Sequence, residues 1–394
     1  MDVLFVSHDT TATGAPMVLL RLLRWLHEHS QLQFGTLLQG SSKGLRSAFY
    51  ELGPTWEMQP SRFRRRGSLS APLRLLHRHR LRRQLDRDPP RLIYANTAAT
   101  AMALKFLRRY PCPVITHIHE LEFTLQHFVG KTHFDSVIGR TDRFLAVSQA
   151  VRQNLIENHD VDPAVIDLVP EFLTCPVDVR GRRAEVSRAV RRELGVDNAS
   201  RLVSAVGTLD WRKGPDLFLQ IAKLTISQSD APVQFLWIGG DPSSLYGQQL
   251  QYDMGKAGVG QRLRLLGIRN DVADLLAASD VLLLTSREDP YPLVVLEAAA
   301  MGTPTVCFAS AGGASEFVDT DSGMVAPYLD VPAAADCIQR LLADPRLCQS
   351  LGIRAAAKVR ERHDSSVVCP QLLRLMENTI KLKSGKSRRS SGRA

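Results

Sequence analysis

The sequence predicts an α/β protein built from two doubly wound parallel sheets, one after the other along the chain. Short apolar runs, which suit strands covered on both faces, alternate with stretches that carry apolar residues at helical spacing. This alternation occurs twice, on either side of a polar and strongly charged segment at about residues 176–199. The chain has 394 residues, and a single core stops growing at roughly 250–300 residues. We therefore expect two domains joined by a linker.

Composition narrows the class of protein. Hydrophobic residues make up 44% of the chain and charged residues 23%, which is ordinary for a globular protein. The net charge of +10 favours anionic partners, such as a nucleotide, a phosphorylated lipid, a membrane surface or nucleic acid. The six cysteines show no C-x-x-C spacing, which predicts reduced, mostly buried thiols in a cytoplasmic protein. No apolar run approaches the roughly 20 residues that span a bilayer, and the first residues resemble a core strand more than a signal peptide.

The first series of elements, residues 1–175, opens with a strand and a glycine-bearing polar loop that leads into a helix. Sheets of this kind place phosphates at such loops, although the glycine spacing is not G-x-G-x-x-G. The helix carries apolar residues from Met17 to Leu26, and a second helix is predicted from Thr97 to Arg108. The predicted strands are Val3–Val6, Phe34–Leu38, Leu92–Tyr94, Val114–Ile118, Phe144–Val147 and Ile166–Val169.

The second series occupies residues 200–365, with helices such as Asp216–Ile226 and Val272–Ala278 between its strands. A last helix is predicted at 366–382. Residues 383–394 have no apolar side chain worth burying, and we expect a disordered basic tail there. The predicted strands are Leu202–Val206, Phe235–Ile238, Leu263–Leu266, Val281–Leu284 and Thr305–Phe308.

Two carboxylates, Asp289 and Glu297, follow the fourth strand of the second series. The apolar spacing predicts a helix over Leu293–Met301. Pro292 suits its first position, because proline lacks only an N–H that would be unpaired there, and Gly302 ends it. Backbone N–H groups at a helix start favour an anion such as a diphosphate. This segment therefore offers acceptors for hydroxyl groups beside an anion site.

A second loop, Gly207–Gly214, follows the first strand of the same series. Its glycines let the backbone approach a ligand, and Arg212 and Lys213 can neutralise phosphate charge. An arginine and a lysine in a loop, taken alone, are usually exposed to solvent and bind no ligand. The carboxyl ends of parallel strands share one crevice, however, and both segments lie at such ends. We therefore predict that Lys213, Asp289 and Glu297 share one site.

The motif His117-Ile118-His119-Glu120 follows a strand of the first series. Alternation places His117 and His119 on one face of an extended segment. A metal site made with His8 and Asp9 is one interpretation. We favour a single histidine that faces a sugar or acceptor, with the other in the core.

The stretch Arg62–Arg87 is densely basic, and leucines at 73, 76, 81 and 85 predict an amphipathic helix with a cationic face. The simpler interpretation is a surface helix of the sheet. The alternative is contact with an anionic membrane leaflet or a lipid-phosphate acceptor. Nucleic acid is not expected, because no aromatic side chain for base stacking is interleaved beyond Phe63.

Taken together, these motifs resemble the glycosyltransferases of family 4, a group of retaining enzymes with the GT-B fold. The resemblance covers nearly the whole chain and is densest between Val203 and Val318. The segment from Asp289 to Glu297 is similar to the family's E-x7-E signature. The resemblance implies that Glu297 binds the donor ribose and that Asp289 contacts the transferred sugar. Asp289 is a departure, because the family has the longer glutamate there.

Other motifs extend the resemblance. Lys213 matches the lysine of the family's diphosphate loop, Thr208 stands where an arginine is common, and Arg212 is the candidate substitute cation. His119 matches the histidine near the reacting sugar. The resemblance implies catalytic roles for His119, Asp289 and Lys213, and donor contacts at Gly14, Ala15, Gly207, Thr208, Arg212, Lys213, Ile268, Arg269, Asn270, Pro292, Leu293, Val294 and Glu297.

The family resemblance implies two Rossmann-like domains facing a cleft, with a C-terminal helix that crosses back to the first domain. It also implies a UDP- or GDP-sugar donor bound by the second domain and a glycan, lipid-linked or small-molecule acceptor bound by the first. Because Lys213, Arg212 and the helix-start amides can stabilise the charge on the leaving diphosphate, we expect that no metal or other cofactor is required. We expect a cytoplasmic enzyme of polysaccharide or glycolipid synthesis, at the inner face of the membrane if the basic stretch binds lipid. The alternatives are a nucleotide-sugar epimerase or hydrolase on the same fold, and a non-catalytic protein that binds anionic surfaces.

Overall fold

The computed structural model describes residues 1–40, 44–59, 70–175, 183–229 and 231–390, leaving out the side chains of 70–72 and 383–390. The chain divides into two compact units. Unit 1 comprises Met1–Phe172 and Ser365–Ala394, and unit 2 comprises Leu173–Asp364.

Unit 1 is built on a seven-stranded sheet in the order 3-2-1-4-5-6-7, in which every pairing is parallel. The strands are β1 (Val3–Ser7), β2 (Phe34–Leu38), β3 (Thr55–Glu57), β4 (Leu92–Asn96), β5 (Val114–Ile118), β6 (Arg143–Ala146) and β7 (Ile166–Leu168). The strand order reverses between β1 and β4. The loops that leave the carboxyl ends of these two strands run to opposite faces, which opens a crevice between them.

Unit 2 repeats this plan with a six-stranded parallel sheet in the order 10-9-8-11-12-13. Its switch point lies between β8 and β11, at the same relative position as in unit 1. The strands are β8 (Arg201–Val206), β9 (Val233–Ile238), β10 (Leu263–Leu265), β11 (Val281–Leu284), β12 (Thr305–Phe308) and β13 (Gly323–Ala326).

The helices of unit 1 cover its sheet. The first helix buries Val18, Leu19, Leu22 and Leu26, a spacing that keeps one face of the helix in the core. The predicted helix at 97–108 is instead a 3₁₀ turn at Ala98–Thr100 followed by a shorter α-helix. The helices are α1 (Gly14–His29), α2 (Arg46–Leu52), α3 (Ser70–Arg87), α4 (Ala101–Leu107), α5 (Glu122–Thr124), α6 (Lys131–Ile138) and α7 (Gln149–His159).

Helix α3 differs from the predicted amphipathic helix. Leu81 and Leu85 are buried, but Leu73 and Leu76 are about half exposed, and Leu75 is about two-thirds exposed. The five-residue step from Leu76 to Leu81 turns the chain by about 140° around the helix axis, so the two pairs of leucines lie on different sides. Residues 62–69 of the basic stretch lie outside the described residues.

The helices of unit 2 include part of the predicted linker. From Arg183 onward that segment is a helix packed on unit 2, where Val190 joins a core cluster with Leu202 and Leu275. Residues 176–182 lie outside the description. The helices are α8 (Arg183–Glu193), α9 (Pro215–Gln228), α10 (Leu245–Lys256), α11 (Val272–Ala278), α12 (Leu293–Ala300), α13 (Ala314–Val318), α14 (Val331–Ala343) and α15 (Pro345–Arg362).

The last helix, α16 (Ser365–Ser390), belongs to unit 1 and contacts α1. It buries Val368, Leu372, Met376 and Ile380, residues four apart that form one stripe. The return of the C-terminal helix to the first unit was expected. We predicted that residues 383–390 would be disordered, but the helix continues through them. The i→i−4 hydrogen-bond pattern can propagate there because no proline interrupts it. Residues 391–394 lie outside the description.

The cysteines and the helix lengths can be compared with what the composition predicted. None of the six cysteines, all of which lie in the described ranges, forms a disulfide; Cys112, Cys307 and Cys369 are buried, and the other three are half-buried. Among the described residues, no helix combines the length and the apolar character needed to cross a membrane.

Candidate functional site

In unit 2 two loops meet at the switch point of the sheet. The first, residues 207–214, leaves the carboxyl end of β8, and the second, residues 285–292, leaves the carboxyl end of β11. These strands are neighbours in the sheet. Topology therefore brings together Lys213 and Asp289, which are 76 residues apart in the chain.

The Lys213 ammonium donates a hydrogen bond to Asp289 Oδ2 at 2.5 Å. Ser286 Oγ donates to the same oxygen at 3.1 Å. Arg212 Nη1 lies 3.9 Å from Asp289 Oδ1 and donates to the backbone oxygen of Glu288 at 3.1 Å. Asp289 is only 5% exposed. One buried carboxylate is thus held by two cations and a hydroxyl group.

The protonation state of Asp289 follows from these contacts. Burial alone would raise the pKa of its carboxyl group, but Lys213 and Arg212 outweigh burial and hold the pKa below its ordinary value. Asp289 is therefore an anion at neutral pH. It is suited to accept hydrogen bonds from hydroxyl groups, and not to act as an acid.

The first loop is held tightly against the second. Gly214 has φ +67°, and a Cβ atom there would lie 2.3 Å from the backbone oxygen of Thr285, so only glycine fits. The Thr285 hydroxyl donates to the backbone oxygen of Lys213 at 3.0 Å. Arg287 donates to both oxygens of Asp216, at 2.9 and 2.7 Å, and to the backbone oxygen of Trp211 at 2.8 Å.

Sequence reasoning missed Ser286, Arg287 and Asp216. Arg287 and Ser286 immediately precede the acidic pair and could have been noticed from their position. Asp216 lies in the first turn of α9, 71 residues from Arg287, and no local pattern links the two residues. These side chains fix the loops that carry Lys213 and Asp289.

Helix α12 presents Glu297. Val294, Val295, Leu296, Ala298 and Ala299 are buried. Leu293 and Glu297, one turn apart, are half-buried on its more open side. Pro292 is the residue before the helix and has extended backbone, with φ −72° and ψ 115°, so our placement of it at the first helical position was wrong by one. Gly302 follows with φ +77° and ends the helix as expected.

Three of the implied donor contacts, Ile268, Arg269 and Asn270, follow β10 at the same edge of the sheet. Ile268 is 80% exposed, and Asn270 is exposed too. Arg269 is already paired with Asp271 at 2.6 Å and with Glu193 at 2.8 Å, so its guanidinium is held in place within the unit.

The glycine loop after β9, at Gly239 and Gly240, was not predicted. A Cβ atom on Gly239 would lie 2.6 Å from the Gly207 oxygen, and one on Gly240 would lie 2.6 Å from Leu209 Cγ. These glycines allow the loops after β8 and β9 to pack together. At Gly207, an added Cβ would lie 3.1 Å from Lys213 Cγ, so the lysine stem crosses over this glycine. Thr208 donates from its hydroxyl to Asp210.

In unit 1 the corresponding loop follows β1 and leads into α1 at Gly14. Gly14 is exposed, and a Cβ atom added there would meet nothing within 4 Å. Packing within the unit therefore does not require a glycine at this position. The backbone oxygen of Ala15 accepts a hydrogen bond from Asn96 Nδ2 at 2.9 Å, which ties the start of α1 to the end of β4.

His117 is buried, and the side chain of His119 is only 6% exposed. Tyr94 Oη lies 2.8 Å from His117 Nδ1, as expected for a core histidine with a partner. His119 Nδ1 lies 2.6 Å from Glu171 Oε1, and its Nε2 lies 3.1 Å from Asn96 Oδ1. Burial, followed by the charge of His8, lowers the pKa of His119 to about 3. Both ring nitrogens of His119 are thus engaged within unit 1.

Glu120 and Thr97 complete this edge of unit 1. Glu120 Oε2 accepts from the backbone N–H groups of Ala98 at 3.2 Å and His119 at 2.9 Å. Burial raises the pKa of Glu120 to about 7, although these hydrogen bonds act in the opposite direction. Thr97 has φ +105°, a costly conformation for a residue with a branched Cβ. Such strain is common at functional sites, and here it lies between the ends of β4 and α4.

For the metal interpretation, the described part of the chain contains no group of three or more His, Cys, Asp and Glu side chains that could hold an ion. His117 and His119 are occupied by Tyr94, Asn96 and Glu171. The predicted residues therefore fall into two separate clusters, one at the carboxyl edge of each sheet. Lys213, Arg212 and Asp289 are in contact in unit 2, and His119 and the loop at Ala15 are linked through Asn96 in unit 1.

Comparison with known families gives two matches to successive parts of the chain. Residues 12–174 match the model described as glycosyltransferase family 4. Residues 200–344 match the model described as glycosyl transferases group 1. The two matched regions do not overlap, and together they include every predicted site residue.

Curated relatives include the D-inositol 3-phosphate glycosyltransferases of Corynebacterium kroppenstedtii and Mycolicibacterium gilvum. The first is 27% identical over 213 residues, which are 53% of this chain and 47% of the relative. The second is 30% identical over 181 residues, which are 45% of this chain and 39% of the relative. The chain thus spans about half the length of the curated relatives it matches, or less.

Two solved structures agree over nearly the full chain. Anabaena HepE in complex with UDP and glucose superimposes with a TM-score of 0.79 at 19% identity, covering 96% of this chain and 99% of that chain. The sucrose-phosphate synthase of Thermosynechococcus elongatus gives 0.76 at 18% identity, covering 97% and 100%. At these identities the structures establish the fold alone. The two family matches show that the chain belongs to glycosyltransferase family 4, and the solved structures show that it has the GT-B fold.

Proposed function

We propose that the protein is a retaining glycosyltransferase that moves a sugar from a nucleoside-diphosphate sugar to a hydroxyl group of a glycan, lipid-linked or small-molecule acceptor. The observation that carries the proposal is the contact of Lys213 with Asp289 at the switch point of unit 2, with Arg212 beside it. A buried carboxylate for sugar hydroxyls and two cations for a diphosphate are what such a donor requires. Ligands bind at the switch points of sheets of this kind.

The main task of the site is to stabilise the negative charge that grows on the departing diphosphate. Lys213 and Arg212 supply positive charge, and the backbone N–H groups that begin α12 add partial positive charge. Such fixed electrostatic groups are commonly the largest contribution, about 3–4 kcal/mol for one well-placed donor. The Lys213 ammonium has three N–H donors, so it can bind a phosphate oxygen while it retains Asp289.

The other residues orient the donor and acceptor. The Asp289 carboxylate would accept hydrogen bonds from the transferred sugar, and Glu297, on the more open side of α12, would accept them from the ribose hydroxyls. Retention is assigned to attack on the same face of the sugar from which the phosphate departs, without a protein nucleophile. His119 would align the acceptor or the sugar from unit 1, and a direct hydrogen bond from its ring would have to replace the bond to Asn96 or Glu171.

The names of the relatives support this donor class. HepE was solved with UDP and glucose and with UDP-glucose, and the curated relatives are named for transfer to a phosphorylated cyclitol. We propose a UDP- or GDP-sugar donor, with UDP better supported, and an acceptor that presents free hydroxyl groups.

The direct test is to incubate the protein with a panel of UDP- and GDP-sugars, with and without candidate acceptors, and to measure the release of nucleoside diphosphate. We expect release from one donor, accelerated by acceptor. Rapid release that does not depend on acceptor would indicate a hydrolase, and conversion of the sugar without release would indicate an epimerase. No reaction and no nucleotide binding would contradict the proposal.

Glu297→Gln is expected to weaken donor binding more than it slows the chemical step. A hydrogen bond to a charged group contributes about 1.5–3 kcal/mol, so KM for the donor should rise by about tenfold to a hundredfold while kcat changes less. Because Glu297 is only half-buried, the thermal midpoint should hardly change. Glu361→Gln, at an exposed position on α15, is the matched control. An unchanged KM would remove Glu297 from the donor site.

We further propose that helix α3 binds an anionic membrane surface and holds the cytoplasmic enzyme at the inner leaflet. Leu73, Leu75 and Leu76 are 46%, 69% and 48% exposed, with Arg74 and Arg78 exposed beside them. Apolar side chains that enter the headgroup region, next to cations that meet anionic lipid, are the two components of interfacial binding. His77 Nε2 lies 2.7 Å from the Glu57 backbone oxygen, which anchors the helix to the sheet below.

Flotation with vesicles of mixed neutral and anionic phospholipid tests this proposal. The triple variant L73S/L75S/L76S should lose most binding, and R74Q/R78Q should lose about 1 kcal/mol for each arginine. L245S is the control, because Leu245 is 73% exposed but lies on α10 in unit 2. Equal partitioning of the wild type and the triple variant would contradict membrane docking by α3, whatever the donor proves to be.

A further inference from the structure

The buried polar cluster of unit 1 contains a carboxyl group for which the family resemblance gives no role. Glu171 follows β7 and is 4% exposed; Asn96, which ends β4, is 1% exposed. They contact opposite nitrogens of His119. Burying three polar side chains costs several kcal/mol unless each is hydrogen-bonded. The contacts between these side chains offset that cost and hold the His119 ring in one orientation.

The hydrogen positions follow from the partner atoms. Asn96 Nδ2 donates to the backbone oxygen of Ala15, so Asn96 Oδ1 is the atom that faces His119. An amide oxygen only accepts, so His119 Nε2 carries a hydrogen. The 2.6 Å contact between His119 Nδ1 and Glu171 Oε1 then needs a hydrogen of its own. Burial lowers the pKa of His119 and so favours the neutral imidazole. With a neutral ring, this hydrogen comes from the Glu171 carboxyl group.

Three hydrogen bonds thus form one chain, from Glu171 through His119 and Asn96 to the Ala15 backbone. This series of hydrogen bonds begins at Glu171, after β7, and ends at the first turn of α1, next to Gly14. His8 lies at the same edge, with its Nδ1 3.3 Å from Thr97 Oγ1.

We propose that Glu171 is a positioning residue of the transfer site: it holds His119 as the neutral Nε2–H tautomer and, through Asn96, fixes the start of α1 against β4. This inference rests on the proposed function, in which His119 and the loop at Gly14 act on the substrates. A carboxyl partner that sets the tautomer of a histidine also sets which nitrogen can donate. Misplacing such a group by about 1 Å can lower the rate by about a hundredfold.

Two variants separate this role from simple packing. Glu171→Gln keeps a donor to Nδ1, because an amide N–H replaces the carboxyl O–H, and kcat/KM should stay within about threefold of the wild type. Glu171→Ala removes the donor, and kcat/KM should fall by at least about tenfold, chiefly in kcat. Glu51→Ala, at an exposed position on α2, is the control. Loss of activity in Glu171→Gln equal to that in Glu171→Ala, or full activity in Glu171→Ala, would overturn the proposal.

The tautomer gives a readout that does not depend on activity. With ¹⁵N-labelled histidine, and His119→Gln for assignment, the wild type should show a protonated Nε2 and an accepting Nδ1 near pH 7. Glu171→Gln should keep this pattern, and Glu171→Ala should lose it. The groups that titrate around His119 are His8, His117, Glu120 and Glu171, so spectra should be followed from acid to neutral pH. An Nδ1–H tautomer or an imidazolium in the wild type would overturn the inference, whereas absence of any donor turnover would instead overturn the proposed function.

Discussion

Lys213→Ala is expected to lower turnover by about a hundredfold to a thousandfold, the loss that follows removal of one preorganised donor to a developing negative charge. The effect should appear mainly in kcat, because the charge is fully developed only as the diphosphate departs. The measurement is the initial rate of nucleoside-diphosphate release with saturating donor and acceptor. Lys213→Met keeps most of the side-chain stem that crosses Gly207 and should show a similar loss.

Stability has to be measured alongside this variant, because Lys213 also neutralises Asp289. Removing the lysine leaves a buried carboxylate with Arg212 at 3.9 Å and Ser286 at 3.1 Å, so some loss of unfolding free energy is expected. Lys223→Ala removes an exposed lysine from α9 and should change neither rate nor stability. A folded Lys213→Ala protein with the wild-type rate would refute the role of Lys213.

Asp289→Asn is expected to lower both transfer and stability. The amide keeps the size of the side chain but leaves Lys213, which is 16% exposed, without its anionic partner. Breaking one partner from a buried ion pair costs about 3–5 kcal/mol. Transfer should fall at least tenfold for the true donor and less for donors whose sugar hydroxyls do not reach this position. Rates with donors that differ in one sugar hydroxyl provide the measurement.

The pKa of Asp289 adds a pH test with a definite sign. Because the folded-state pKa lies below the ordinary value, the ion pair stabilises the fold above the ordinary pKa, and this contribution is lost as the pH falls towards the folded-state value. The wild type should therefore lose more unfolding free energy than Asp289→Asn between about pH 5 and pH 2. Asp253→Asn, at an exposed position on α10, is the control. In the transfer experiment, an equal fall in the rate of Asp289→Asn with every donor sugar would argue against a role of Asp289 in sugar orientation.

The main strands of both sheets could be predicted because each is a short apolar run followed by a polar loop. The edge strands β3 and β13 were not predicted. The first is a three-residue strand, Thr55–Glu57, and the second begins with glycine at Gly323, so neither gives a continuous apolar signal. Packing requires glycine at position 323, because a Cβ atom there would lie only 1.9 Å from the Thr305 backbone oxygen.

The site was predictable where the chemistry lies in one continuous motif. The loops at Lys213 and Asp289 each combine glycine, charge and a preceding strand, and parallel topology then brings their ends together. Arg287 with Asp216, and Glu171 with His119, were not predictable. Each pair is formed by residues more than fifty positions apart, and only the folded sheet determines which loops become neighbours. The family matches confirm membership of glycosyltransferase family 4, whereas the activity and the roles of individual residues remain predictions.

Titration of UDP into the protein by isothermal calorimetry tests the central claim most directly, namely that Lys213 and Glu297 bind a nucleoside diphosphate at the site beside Asp289. We expect saturable binding to the wild type and to the Lys223→Ala control. The Lys213→Ala/Glu297→Gln double variant, if folded, should bind at least about a hundredfold more weakly, since two charged contacts are lost. GDP should be titrated in parallel to identify the base. Failure of the wild type to bind either nucleotide, or equal affinity in the double variant, would contradict the account.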